Sequence, residues 1–179
     1  KCGTTWLQQI AHGLRTRGSM DFDAIISVMP WIDIAHTLGW DLDAPQVAAP
    51  RVFKSHASWH DIPKGGRYIC SLRNPADAFV SLYRFFEGFF FEPSTISSEE
   101  FFHWVWPRDQ LAEKGYWYHL NSWLEQRNNK DVLLLCYEDM KADLVSTIKT
   151  VANFMKIDLD DELLEIVTRQ SSREFMLTH

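Results

Sequence analysis

Short apolar runs alternate with amphipathic stretches along this chain, and the two periods divide it into strands and helices. Trp6, Ile10 and Leu14 recur at helical spacing within Thr5–Thr16, which predicts a helix that Gly13 weakens and Gly18 ends. A loop-rich stretch follows, with a short helix predicted in Ser27–Gly39 after Pro30. Asp41–Pro50, holding Pro45 and Ala48-Ala49-Pro50, reads as a connector. Two compact runs of β type come next, Arg51–His56 (RVFKSH) and Tyr68–Leu72 (YICSL). The second ends in Arg73-Asn74-Pro75, where a proline at the first helical position launches a helix over Ala76–Phe90. Ser97-Ser98-Glu99-Glu100 has the spacing of a capping box and predicts a helix carrying Phe101, Phe102, Trp104 and Trp106. Further helices are predicted over Tyr116–Asn128, from Glu138-Asp139 to Met155, and over Asp160–Arg169, before a polar turn at Ser171-Ser172. Val132–Tyr137 (VLLLCY) is almost uninterruptedly apolar, as expected of a strand covered on both faces of a parallel sheet. The order predicts an α/β fold, a parallel β-sheet flanked by helices, in one domain over residues 1–179.

Composition supports a packed core. Of 179 residues, 46% are hydrophobic and 23% charged, which excludes global disorder. Eight tryptophans and twelve phenylalanines, clustered at Phe85-Phe86 and Phe89-Phe90-Phe91, suggest a wide apolar pocket as well as core. A net charge of -6 argues against nucleic-acid binding, so an anionic ligand would be held by a few local cations. The three cysteines have no metal-ligand spacing, and reduced thiols of a cytoplasmic protein are the simplest account. No run reaches the roughly 18 apolar residues of a membrane span. Nothing near the start has the build of a secretory signal.

Three loops carry candidate chemistry, and two of them follow β-type runs, where ligands of open α/β sheets bind. The opening Lys1-Cys2-Gly3-Thr4-Thr5-Trp6 runs directly into a helix. A cation, a glycine and two hydroxyls before free helical N–H groups suit a phosphate; an ordinary N-cap at Thr4 or Thr5 fits the same residues. Lys54-Ser55-His56 sets a cation and an imidazole two residues apart, on one side of an extended segment. A strand-end histidine is often structural, but an ammonium beside a base suits transfer of an anionic group. Arg73, with Ser81 about two turns into the next helix, offers a fork and a hydroxyl for phosphate; Arg73 paired with Asp77, and a surface Ser81, is the alternative.

KCGTTW, FKSH, RNPADAFVSLYRF and LCYEDM, in that order, resemble the cytosolic sulfotransferase family, and the resemblance spans nearly the whole chain. The family pattern is a P-K-S-G-T-T-W loop, a K-T-H segment, R-N-x-x-D-x-x-x-S and a Y-E-D-M strand exit. The resemblance implies a P-loop-like sulfotransferase fold. It also implies transfer of a sulfuryl group from 3′-phosphoadenosine 5′-phosphosulfate (PAPS) to a hydroxyl or amine, leaving the bisphosphate PAP. By that similarity Lys1 contacts the bridging oxygen, while Cys2, Gly3, Thr4 and Thr5 hold the 5′-phosphate. Trp6 lies near the adenine, Arg73 and Ser81 bind the 3′-phosphate, Tyr137 lies against the nucleotide, and Ser171 matches a nucleotide-contacting Thr. His56 acts as general base and Lys54 stabilises the transferring sulfuryl. Such a transfer rests on positioning and cations, so lysines suffice and no metal is expected.

The implied acceptor is a small alcohol, phenol, steroid or amine; Trp31, Trp40, Phe85 and Phe86 are candidates for an apolar pocket, or for core. Glu87, Glu92, Glu99 and Glu100 make a polyanionic acceptor the poorer choice. No nucleic-acid or membrane partner is expected, and a homodimer is possible in the full-length protein. Cys2 departs from the commoner Ser of the family. The strand expected before Lys1, the R-K-G-x-x-G segment and the dimerisation stretch are missing, so the chain reads as part of a longer protein. A catalytically silent nucleotide-binding module of the same fold is the rival reading. A P-loop kinase fits poorly, because G-x-x-x-x-G-K-[ST] is lacking.

Overall fold

In the computed structural model, residues 2–110 and 115–178 are described, with the side chains of 106–110 left aside; Lys1 and the Trp106 side chain therefore lie outside the described residues. Two compact units divide the chain, one holding Cys2 and residues 57–137, the other residues 3–56 and 138–178.

The second of these is helical. Its first helix, α1 (Thr4–Thr16), buries every residue from Leu7 to Arg15; of the predicted face, Ile10 and Leu14 are buried and Trp6 is half-buried. Two single-turn helices follow, α2 (Ile25–Val28) and α3 (Ile32–Ala35). The later helices of this unit are α7 (Tyr137–Ala142), α8 (Leu144–Met155), α9 (Asp161–Gln170) and α10 (Arg173–Thr178). Ile10 and Leu14 of α1, Ile148 and Val151 of α8, and Leu163 and Val167 of α9 are all buried and form the three-helix core. The α1–α9 contact is close: a Cβ on Gly13 would stand 3.2 Å from Val167 Cγ2. Gly18, just past α1, takes a φ of +85°, and a Cβ there would stand only 2.3 Å from Ile166 Cγ2. Arg15 is buried among oxygens, donating to Gln46 Oε1 (2.5 Å), Pro50 O (3.2 Å) and Val28 O (2.7 Å). It thereby ties the connector before residue 51 to α1.

Three sequence expectations change here. The helix expected without interruption from Glu138 to Met155 is two helices. Asp143 leaves the helical conformation and accepts from Ser146 N–H at 2.9 Å, which makes it the N-cap of α8. The strand expected at Arg51–His56 is reduced to one bridge, in which Lys54 N–H donates to Pro30 O and Ile32 N–H to Lys54 O, both at 2.9 Å. Ile32 starts α3, so the partner row ends after one residue and no ladder extends. The turn at Ser171-Ser172 leads into α10, with Ser172 Oγ accepting from Phe175 N–H at 3.2 Å.

The other unit holds the sheet. Strands β1 (Tyr68–Leu72) and β2 (Val132–Cys136) pair in parallel, from Tyr68 opposite Val132 to Leu72 opposite Cys136. Cys70, Val132 and Trp123 of α6 (Tyr116–Leu124) make a core that Trp59, Ile62, Tyr68, Leu72 and Leu134 cover. Helix α4 (Pro75–Phe89) starts on Asn74, whose side chain accepts from Ala76 N–H. Helix α5 (Ser98–Gln110) opens on the predicted capping box, with Ser97 as its cap. Glu100 N–H donates to Ser97 Oγ (3.2 Å), and Ser97 N–H donates to Glu100 Oε2 (2.8 Å). Phe101 is wholly buried against Phe79, Tyr83, Phe86 and Phe91, whereas Phe89 and Phe90 are exposed. The aromatic run is therefore part core and part surface.

Gly18→Ala forces a side chain into left-handed backbone against Ile166; a loss of about 1–3 kcal/mol is expected in urea unfolding, with the α-helical spectrum unchanged below the transition. A second expectation concerns pH. Burial, reinforced by Arg15, lowers the His12 imidazole to about 4, and burial lowers His119 to about 4. The unfolded chain binds protons at these rings from pH 6.5 downward, which the native protein refuses until about pH 4. Their contribution to stability is therefore fully present above 6.5 and lost progressively toward 4. Unfolding midpoints measured from pH 7.5 to 4 should fall less steeply in the His12→Gln, His119→Gln double variant than in the parent.

Candidate active site

Helix α1 begins at Gly3, whose φ of 93° and ψ of 21° are left-handed. Thr4 and Thr5 lie inside the helix, so neither is the N-cap that the sequence allowed. Gly3 supplies no capping side chain and no acidic residue stands in the first turn. The first bond within the helix runs from Leu7 N–H to Gly3 O, at 3.0 Å. The amides of Thr4 and Thr5 thus have no intrahelical acceptor and lie at a positive helix end. Trp6 turns its indole N–H onto the carbonyl of Ser171 at 2.7 Å. Ser171 itself is wholly buried, and its Oγ has no hydrogen-bond partner among the described residues. These two residues, 165 positions apart, meet because α9 lies along α1.

In the same unit, Lys54 and His56 gather around Trp31. The Lys54 ammonium stands over the indole, 4.2 Å from a ring centroid, and the His56 imidazole meets it edge-on at 5.0 Å. The alternation expected of an extended segment does bring positions 54 and 56 to one side, although no strand forms. Asp33, in the first turn of α3, draws these residues together. Its Oδ2 accepts from Trp31 Nε1–H (2.5 Å) and His56 N–H (3.0 Å), and its Oδ1 from Ser55 Oγ–H (3.2 Å). Burial lowers the Lys54 ammonium below its ordinary value, and the Asp33 charge offsets this in part.

The sheet unit holds the remaining candidates. Cys2 is half-buried, and its carbonyl accepts from Ser71 Oγ–H of β1 at 2.6 Å. Arg73 follows β1; its carbonyl accepts from Tyr116 Oη–H (2.5 Å) and its guanidinium lies 4.2 Å from the Tyr137 ring centroid. Arg73 Nε is buried with no hydrogen-bond partner among the described residues. The alternative pairing with Asp77 is not formed, and Asp77 instead faces solvent in the first turn of α4. Ser81 is half-buried on α4. The three cysteines are free, and burial pushes the Cys70 thiol up to about 12.

Asp33, Ser71 and Tyr116 escape a reading of the sequence. An aspartate in a first helical turn looks like an ordinary partner of the helix dipole. Its engagement with residues 22 and 23 positions on leaves no local trace. Ser71 and Tyr116 likewise act on backbone carbonyls far along the chain, which no spacing rule marks.

The family model for the sulfotransferase domain matches residues 1–178. Sulfotransferase 2A1 of Homo sapiens is 30% identical over 98% of this chain and 63% of its own length. The 3-alpha-hydroxysteroid sulfotransferase of Cavia porcellus is 32% identical, with the same coverage of both chains. The chain thus spans 63% of the length of these curated relatives. Among solved structures, a mouse sulfotransferase complexed with PAP superposes with a TM-score of 0.72 at 23% identity, over 99% of this chain and 63% of that one. Retinol dehydratase in a complex with retinol and PAP gives 0.77 at 17% identity, over 97% and 62%. The overall fold is shared with both. With the four motifs in order and a match over nearly its whole length, this chain belongs to the sulfotransferase domain family.

Proposed function

We propose that the protein carrying this chain transfers a sulfuryl group from PAPS to a hydroxyl or amine of a small apolar or aromatic acceptor, and does so in the cytoplasm. The observation that carries the reading is the gathering of Lys54 and His56, a cation and a base, around one indole in a chain of this family. The donor brings an activated sulfuryl on its 5′-phosphate; all else falls to the protein's own groups.

Each unit, taken by itself, holds groups of the kind an anionic nucleotide needs. The positive end of α1 offers the amides of Thr4 and Thr5, and Gly3 has no Cβ to stand in the way. The Thr4 and Thr5 hydroxyls add donors, and Cys2 keeps its own amide whatever its side chain. Lys1 would offset charge on the leaving phosphate. Arg73, with its Nε buried and its guanidinium 4.2 Å from the Tyr137 ring centroid, suits the 3′-phosphate together with Ser81. Trp6, tied to Ser171, offers an aromatic edge to the adenine.

His56 would take the acceptor's proton at Nε2, leaving the oxygen or nitrogen free to attack. Lys54, with its charge only partly hydrated, would stabilise the equatorial oxygens of the group in transit. An apolar acceptor suits the excess of glutamate near the aromatic run, since carboxylates repel polyanions. The related 3-alpha-hydroxysteroid sulfotransferase and an amine sulfotransferase of Oryctolagus cuniculus, 27% identical over 98% of this chain, point to the same acceptor classes.

Transfer of labelled sulfate from PAPS to a panel of phenol, steroid and amine should be measurable with the whole protein, and absent with a heparan precursor. His56→Ala should lower kcat by about 10²–10⁴-fold while PAP binding by calorimetry stays intact. Arg73→Ala should weaken PAP by about 10–100-fold. Undiminished transfer by His56→Ala would remove the general-base role; PAP binding without turnover of any acceptor would make the protein a silent nucleotide-binding module.

A further inference from the structure

Asp33 carries three hydrogen bonds on one carboxylate, from Trp31 Nε1–H, Ser55 Oγ–H and His56 N–H. Its own helix does not account for them. Helix α3 has four residues, and a carboxylate serving only that helix end would turn toward the helix's own amides. Here both oxygens are taken up by residues flanking the reacting pair. Asp33 is also exposed, so no core packing holds it in place.

The bonds have a geometric consequence. An indole in a backbone loop can turn about two torsions, and its N–H bond to Asp33 fixes the ring plane. That plane sets where the Lys54 ammonium rests on its face and where the His56 ring meets its edge. The His56 amide is held by the same oxygen, so the ring and the backbone of the histidine are referred to one point. Lys54 is fixed on its other side by the bridge to Pro30 and Ile32. An ionised carboxylate is suited to three donors, because both its oxygens accept and neither donates. An amide in its place would offer one acceptor and turn an N–H toward a donor.

Resting on the sulfuryl-transfer reading above, we propose that Asp33 is a positioning residue for that reaction, its carboxylate setting the distance between Lys54 and His56 through the Trp31 indole and the His56 amide. On this reading it acts through Trp31 and His56 and not on the donor or the acceptor. Its loss therefore lowers turnover without weakening the nucleotide.

The test compares Asp33→Asn and Asp33→Glu with the parent in the whole protein. Asp33→Asn is expected to lower kcat by about 10–100-fold, the cost of a reacting group displaced by about an ångström. The KM for PAPS, PAP affinity and the unfolding midpoint should stay at parent values. Asp33→Glu, which keeps both oxygens, should recover most of the loss. An unchanged kcat in Asp33→Asn, or a fall that Glu does not restore and that follows a lowered unfolding midpoint, overturns the proposal. A readout independent of turnover separates this from a failure of the transfer reading. The His56 ring proton resonances, assigned with His56→Ala, are shifted by the Trp31 ring current. They should move in Asp33→Asn while those of His36 stay fixed. If the parent transfers no sulfate but these resonances move, the reaction is wrong and the positioning stands; if they do not move, the positioning is wrong whatever the activity.

Discussion

The close approach of α1 to α9 is the constraint on which the helical unit depends. Gly13 meets Val167 with no side chain of its own, and Gly18 takes a left-handed turn with Ile166 pressed against it. Ile10 and Leu14 can then be buried against α8 and α9 in a core that excludes water from both sides of α1. A bulkier residue at either glycine would lift α1 away, and several polar ties would lengthen together. Gln170 would lose Gly18 O, at 2.8 Å, and Trp6 would lose Ser171 O. The positive end of α1 is set in space by packing more than a turn away from it.

The loops around that helix are held by polar side chains, not by strands. Arg15 reaches from α1 to carbonyls at positions 28 and 50, and its charge is met by oxygen dipoles with no carboxylate partner among the described residues. Trp31 and Lys54 share a single bridge, and Asp33 closes the segment onto His56. A segment fixed in this way keeps its side chains on defined neighbours without the regular twist of a ladder. It also explains how a short run of β character can bring Lys54 and His56 to one indole while contributing no strand.

Much of the fold is legible in the sequence. Tyr68–Leu72 and Val132–Cys136 are legible as strands because both are short, mostly apolar runs, and Pro75 and the Ser97–Glu100 box start α4 and α5 because local chemistry dictates both. The candidate residues were legible too, since Lys54, His56, Arg73 and Tyr137 stand in short motifs of fixed order. The misses have two causes. Arg51–His56 has the residues of a strand, but a strand requires a partner row, and that row ends when Ile32 turns into α3. Asp143 looks like an exposed helical residue until its side chain takes Ser146 N–H and divides the helix.

Sequence alone determined the family, the alternation of helix and strand and the kinds of side chain available to hold an anion and move a proton, because these follow from periodicity, capping and ordered motifs within a few residues. Only the tertiary structure decided that Gly3 and not a threonine caps α1, that Arg73 lies on Tyr137 and not on Asp77, and that Asp33 gathers Trp31, Ser55 and His56. Apart from the cap, which turns on a backbone torsion, and the short Trp31–Asp33 bond, these join residues 22 or more positions apart. Their energies depend on distances that close only once the chain has packed, and no local pattern records them.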